Sequence, residues 1–469
     1  MSTTAPGRAP APSGDTDEAA RWLAPGCLVA ALLLGFALQL TNGFLLPSGL
    51  ALVTAALAVL VFAVAAPRST HWLARDQRLV QWLAVAGLLV HEYALITTLP
   101  GVYTQAGVNA LHTFQVGVLT LALVSALLVT WPRTWPTLPL VLGLVAVHAY
   151  LGGWVIQHSP APPIDVHLFQ RDGVEALLQG RNPYAMTFPD IYGESRFYGD
   201  GLSVGGQLQF GFPYFPLSLL AAMPGEMLAS DPRYSQLAAI ELTALLMALA
   251  RPGGLGAIAA VLYLTTPRLF FVLEQSWTEP FVVLGAAAVV VAACRAPRLT
   301  PWLFGAFVAI KQYLVFALPA AVLLVRRRDG LSGVLRLLLQ AAVVGTAITL
   351  PFVLWDPSAF VKSVVTLQMY QPFRADALSY LAWWVSLGHP APSTAIPFLL
   401  SSAAAALAVW RSPRTGAGFA AAMALTFLVF FAFNKQAFAN YYSFALGTLL
   451  LAVAAWRPPV AAGDPRLTP

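Results

Sequence analysis

Apolar runs close to twenty residues long, one after another, limit what this chain can become. They occur at 26–44, 47–66, 79–98, 108–131 and 138–157, and again at 237–250, 254–273, 277–294, 332–354, 394–410, 416–433 and 438–456. Most of them approach the length a helix needs to cross roughly 30 Å of hydrocarbon. Inside lipid each backbone N–H and C=O must find its partner within the segment, so such runs fold as helices. Composition agrees: charged residues make up 10% of the chain, against about 25% in a soluble domain. That excludes an ordinary soluble enzyme and a disordered chain. The net charge of +6 comes from scattered arginines with no basic stripe, so no nucleic-acid partner is expected. The expected fold is an all-α polytopic membrane protein, with about twelve transmembrane helices plus two re-entrant or short helices.

Orientation follows from arginine in the short connections. Arg68, Arg75, Arg78 and Arg133 mark early turns, and Arg295, Arg298, Arg326, Arg327, Arg328, Arg411, Arg414 and Arg457 mark later ones. The connections 41–46 and 100–107 carry no charge. The expectation is a multi-pass protein of the plasma (inner) membrane with both termini cytoplasmic. Residues 1–22, rich in Pro, Ala, Ser and Thr, read as a disordered cytoplasmic tail without a secretory cleavage site, and 458–469 as a second tail. Cys27 and Cys294 both fall in apolar runs, which gives no disulfide framework.

Parity leaves two irregular places. The stretch 298–326 is apolar yet basic at both ends, which predicts a hairpin of short helices, 300–310 and 314–325, with Lys311, Gln312 and Tyr313 at a deep tip. The piece 215–229 is too short and is punctuated by Pro213, Pro216 and Pro224, so it reads as re-entrant or interfacial. Irregular backbone at membrane depth is tolerated only in protein or along a cavity, and both places therefore point to an internal site.

Between the fifth and sixth runs lies a loop, 158–212, that holds six of the twenty acidic residues. By the arginine bias it faces outward. Its first part has apolar positions at 168, 169, 174, 177 and 178, the pattern of a surface-lying amphipathic helix from Asp165 to Gly180. Arg181-Asn182-Pro183-Tyr184 then forces an extended turn. A second outer loop, 355–393, carries Asp356, Lys362, Arg374, Asp376 and His389, and a third is the short turn 434–440.

The string DVHLFQRDGVEALLQGRNPY (165–184), followed by FPYFPLSLL (212–220), resembles the first external loop of GT-C superfamily glycosyltransferases. The similarity is greatest to family 87, the polyprenyl-phosphate-mannose-dependent mannosyltransferases and their uncharacterised relatives. GAFVAIKQYLVFALPAAVLLVRRR (305–328) resembles that family's glycine-bearing apolar segment with its Lys and Arg cluster. The resemblance runs from about 138 to 456. It implies an N-terminal four-helix membrane module, 23–137, ahead of a GT-C-like catalytic module, 138–457. Two departures stand out: the four early spans, and Leu273-Glu274-Gln275-Ser276 where the family often shows a Gly-Gln-x-Asn step.

The function implied is transfer of a hexose, mannose by the resemblance, from a polyprenyl-phosphate donor to a lipid or glycan acceptor at the outer face. Such chemistry needs a base near the acceptor hydroxyl and cations for the leaving phosphate. Asp165 is the candidate catalytic base, acting with inversion because no second carboxylate stands beside it as in retaining hydrolases; its alternative role is a helix N-cap. Only three of the 26 basic residues are lysine, Lys311, Lys362 and Lys435, and all lie at the hairpin tip or in outer loops. An ammonium at depth costs about 2.5–3.5 kcal/mol on insertion and needs an anion. Lys311, Gln312, Tyr313 and Lys435 are candidates for the donor phosphate, with a salt bridge from Lys311 to Glu274, Glu279 or Glu241 as the alternative. His158, Arg171, Asp172, Asn182, Tyr184, Glu274, Gln275, Glu279, Gln436, Asn440 and Tyr441 are candidates for sugar or acceptor binding; for Tyr441, interfacial anchoring is the rival explanation. His91-Glu92 reads as a lock between spans or an intramembrane functional pair. No carboxylate or histidine spacing in the outer loops calls for a metal or cofactor. The competing class is a multi-span transporter or lipid-glycan flippase, against which the chain shows no internal repeat.

Overall fold

The computed structural model describes residues 23–66, 77–130, 137–193, 195–251 and 254–457. The two expected tails, the turn with Arg68 and Arg75, Arg133 and Glu194 lie outside the described residues. The first helices are α1 (Leu23–Thr41), α2 (Pro47–Ala65), α3 (Gln77–Thr97), α4 (Val108–Thr130) and α5 (Leu138–His158). Then come α6 (Asp165–Leu178), α7 (Ser195–Tyr198), α8 (Pro216–Ala229), α9 (Arg233–Leu249), α10 (Gly256–Leu264), α11 (Leu269–Glu274), α12 (Glu279–Arg295) and α13 (Thr300–Val308). After a 3-10 helix, Gln312–Leu324, follow α14 (Gly330–Trp355), α15 (Pro357–Val361), α16 (Leu367–Tyr370), α17 (Tyr380–Ser386), α18 (Ile396–Arg411), α19 (Gly416–Ala432) and α20 (Ala439–Ala455). Among the described residues the sheet is a two-residue pairing, Ser203–Val204 with Gln207–Leu208. Gly205 and Gly206, both at positive φ, make its tight turn.

Six of the described helices, α1 to α5 and the one ending at Trp355, are long and apolar enough to cross a membrane. The protein is an all-α membrane protein. Helices α18, α19 and α20 and the 3-10 segment are apolar but shorter. Helix α20 is buried on nearly every side and packs against α1, α10, α12 and α19, as a helix at the centre of a bundle must. Because α1 lies on α20, and α2 on α18 and α19, the first helices share one continuous core with the rest.

The bundle has two chemically different ends. At one, arginines cap the last carbonyls of neighbouring helices: Arg251 Nε reaches Ala455 O at 2.8 Å, Arg295 reaches Leu249 O, and Arg411 reaches Ala65 O. Positive groups are favoured there because helix C-termini carry partial negative charge. At the other end loops tie to loops. Leu378 N donates to Gly43 O and Ala437 O, Leu45 N to Asp376 O, and Gln105 N to His158 O.

The chain 300–324 forms two helical arms that pack on each other on either side of Lys311. Gly305 lies so close to α14 that a Cβ there would meet Ala341 O at 2.2 Å. The first arm is α13, and the second arm is a 3-10 helix of 13 residues where an α-helix is expected. Pro319 inside it has no N–H for an α-helical bond and crowds the preceding turn. Lys311, at φ −150° and ψ 141°, is the extended residue between the arms. Helix α8 runs from the loop-rich end and is followed by Arg233, whose guanidinium holds Ser159 O at 2.8 Å, so it begins and ends near one side. Helix α6 starts at Asp165 and stops at Leu178, two residues short of Gly180, which sits at φ +72°.

Candidate functional site

The loop that follows α5 presents Asp165 as the first residue of α6, with Ile164 in the capping position. Its Oδ1 accepts from Val166 N at 2.7 Å and its Oδ2 from the Tyr198 hydroxyl at 2.9 Å. Tyr192 OH accepts from Asp165 N at 3.2 Å and lies 3.4 Å from Oδ1. Asp190 fixes Tyr192 in turn: its Oδ1 takes the N–H groups of Tyr192 and Gly193, and its Oδ2 the Ser203 hydroxyl. Burial raises the Asp165 carboxyl above the ordinary carboxylate range, while the hydrogen bonds from Tyr198, Val166 and Tyr192 and the charge of Arg374 pull part of that back. Ile164, not Asp165, occupies the capping position, and Val166 N is the one backbone N–H that the Asp165 side chain accepts.

Lys311 Nζ stands 2.5 Å from Glu279 Oε1, with both side chains buried. The alternative of a salt bridge is thus realised, with Glu279 as the partner. Glu279 opens α12, where the helix dipole favours an anion; its Oε2 is buried without a hydrogen bond. Three tyrosine rings surround the ammonium, with centroids at 4.7 Å (Tyr214), 5.5 Å (Tyr313) and 5.6 Å (Tyr441). Such a cage stabilises a desolvated cation through the ring quadrupoles. Gln312 Nε2 donates to Pro213 O at 3.0 Å, which pins the hairpin tip to the segment that carries Tyr214.

Both carboxylates lie within electrostatic reach of Tyr214. Burial raises its hydroxyl well above the usual tyrosine value, and next in size is the Asp165 charge, with Glu279 also contributing. Tyr441, on α20, is likewise within electrostatic reach of both Glu279 and Asp165. Asp165, Tyr214, Tyr313 and Tyr441 keep partial solvent access, and Lys311 and Glu279 are buried beside them. Comparison with protein-family models, curated proteins and solved structures finds no match. The site therefore has to be read from its own geometry.

Arg374 is a cation of the site that no sequence motif marks. Its guanidinium forks onto Asp376 at 2.8 Å, lies over the rings of Phe197 and Phe438 at 4.6 and 4.7 Å, and acts on Asp165. Tyr192, Tyr198 and Tyr214 are likewise absent from the residues expected on sequence. The FPYFPL string contains Tyr214, but nothing local marks a tyrosine as the neighbour of a lysine almost a hundred positions on.

Several expected binding residues have other work. Glu274 accepts from Val102 N, Tyr103 N, Thr104, Ser159 and Gln275. It clamps the 99–104 loop so closely that a Cβ on Gly101 would fall 2.1 Å from its carboxylate. Gln275 is buried beside it. Lys435 Nζ donates to Gln368 O and Gln371 O, Gln436 to Pro372 O, and both thereby staple the turn 434–438 to the segment that follows α16. Burial lowers the Lys435 ammonium. Asn182 Oδ1 accepts from Tyr184 N, and Tyr184 OH donates to Tyr214 O, so this turn supports Tyr214 from behind. Arg171 and Asp172 pair at the surface at 2.8 Å. His158, a candidate for sugar or acceptor binding, turns back onto its own helix, with Nδ1 2.8 Å from Trp154 O and its ring stacked on Trp154. Asn440 is buried next to Tyr441. Among the described residues no three His, Cys, Asp or Glu side chains gather as a metal site.

Proposed function

We propose that this protein is an integral-membrane glycosyltransferase of the GT-C type. In this reading it moves a hexose, mannose by resemblance to family 87, from a polyprenyl-phosphate donor to a hydroxyl of a lipid or glycan acceptor at the outer face. The observation that carries the reading is a buried ammonium, Lys311, caged by the rings of Tyr214, Tyr313 and Tyr441, with the partly accessible carboxylate of Asp165 within electrostatic reach of two of those tyrosines. Asp165 Oδ takes the acceptor proton as the acceptor oxygen forms its bond to the anomeric carbon. The bond from that carbon to the phosphate oxygen breaks, and its electron pair leaves with the polyprenyl phosphate. Lys311 and Arg374 supply positive charge for that leaving group, and Tyr192 and Tyr198 hold the base in place. Attack by an acceptor activated this way inverts the anomeric centre. Twelve crossings, with the arginine-rich end cytoplasmic, belong to the same proposal.

Membranes supplied with radiolabelled polyprenyl-phosphate hexoses test it. Turnover by the wild type, lost in Asp165→Asn at equal expression, is the expected result; about 10²–10⁴-fold is typical for a positioned base. Full activity in Asp165→Asn overturns the reading. A carrier remains the second reading because His148 and Glu241 form a buried contact of 2.6 Å between α5 and α9, and ionisable pairs at such depth commonly mark ion pathways. Uptake or flipping of a glycolipid without bond cleavage would favour it.

A further inference from the structure

A cavity of about 250 Å³ lies beside the Asp165 cluster, lined by Asp200, Leu202, Gln209, Phe210, Lys362, Thr366 and Tyr370 among others. Its size is near the low end of small-molecule sites, about 300–1,000 Å³. None of these residues belongs to the machinery described above. Two features show that the cavity is built into the fold. Lys362 and Thr366 bound a short π-helix, Lys362–Thr366, between α15 and α16; such widened turns are costly and concentrate at functional sites. Ser363 in its first turn holds that segment to the outer loop, accepting from Gly211 N at 2.9 Å and donating to Tyr184 O at 3.2 Å. The opposite wall, Phe210, packs on Phe169 and on Tyr198, each at 6.0 Å between centroids. Tyr198 is the residue that donates to Asp165. Two rings in sequence, Phe210 and then Tyr198, thus lie between the cavity and the candidate base.

We infer that this cavity is the subsite for a sugar ring of the acceptor, a conclusion that rests on the transferase reading. Its mainly apolar lining with a few polar side chains is of the kind a pyranose ring uses, one face to C–H groups and hydroxyls to polar atoms. Phe210, Tyr370, Leu202 and Leu367 offer apolar faces for the C–H side of a pyranose. Asp200 accepts hydroxyl protons, Lys362 donates, and Gln209 and Thr366 do both. Asp200 and Lys362 both line the cavity and leave it no net charge to recruit a phosphate. An acceptor with one sugar ring in this cavity would extend past Phe210 and Tyr198 to present a hydroxyl to Asp165, while the donor phosphate would occupy the Lys311 side.

The test is a kinetic split joined to a binding measurement on the full-length protein in detergent. The double substitution Tyr370→Ala/Lys362→Met should raise the acceptor KM by about tenfold or more, the scale of a lost charged hydrogen bond. The donor KM should move less than twofold. Saturation-transfer NMR with free oligosaccharides should show binding to the wild type and none to the double variant. An unchanged acceptor KM, or a wild type that binds no saccharide, overturns the subsite. A wild type that binds saccharide yet turns over no polyprenyl-phosphate sugar, beside a double variant that binds none, supports the cavity and removes the transferase.

Discussion

Two carboxylates, Asp165 and Glu279, are close enough to act on the same tyrosine and yet have opposite surroundings. Asp165 faces hydroxyl donors and keeps solvent access, whereas Glu279 is sealed against Lys311. The raised Asp165 carboxyl predicts that kcat/KM climbs with pH, on an acid limb above the ordinary carboxylate range. Tyr198 donates to the charged form and so lowers that value. Tyr198→Phe should therefore move the limb to higher pH, and a shift downward would remove Asp165 as the titrating base. Lys311→Ala leaves Glu279 charged and unpaired in the interior, a loss of about 3–5 kcal/mol. Adding Glu279→Gln should restore much of the melting temperature without restoring donor use. Donor and acceptor kinetics falling equally in that double variant would count against a phosphate role for Lys311.

One buried network aligns the elements that carry these residues. Gln170, on α6, donates to Ser276 O at 2.5 Å, and Gln236, on α9, donates to Ser276 O and to Gln170 Oε1. Ser276, at φ +55°, bends the chain between α11 and α12. The helix that begins with Asp165 is thus bolted to the turn that launches Glu279. Gln170→Ala should cost about 1–3 kcal/mol, the range for buried groups left unsatisfied. It should also lower kcat with little change in donor KM, because the base shifts while the phosphate site stays. A melt changed by that amount with normal kcat would reduce Gln170 to a packing residue. From sequence, α6 is readable through its amphipathic spacing and Asp165 start. The 3-10 arm 312–324 is not, since its apolar composition is equally that of an α-helix and only the proline distinguishes it.

Across the whole molecule, the early helices are part of the core that supports the site. Helix α1 covers α20, which carries Tyr441. Removing everything before residue 138 should therefore give a protein that aggregates on size-exclusion chromatography in detergent; a monodisperse, folded product would show the later helices to be self-sufficient. Legible in the residues alone were the membrane class, most of the apolar helices and the break at Lys311 between two helical arms. Those follow from local quantities: run length against bilayer thickness, proline and glycine positions, and the energy of a lone ammonium in an apolar stretch. It took the packed chain to show that Glu279 is the counter-ion, that Glu274 is a loop clamp, and that Tyr198, Tyr214 and Arg374 complete the cluster. These choices depend on which loops meet at one end of the bundle. Between residues tens to hundreds of positions apart, that meeting is fixed by helix packing, to which no short stretch of sequence refers.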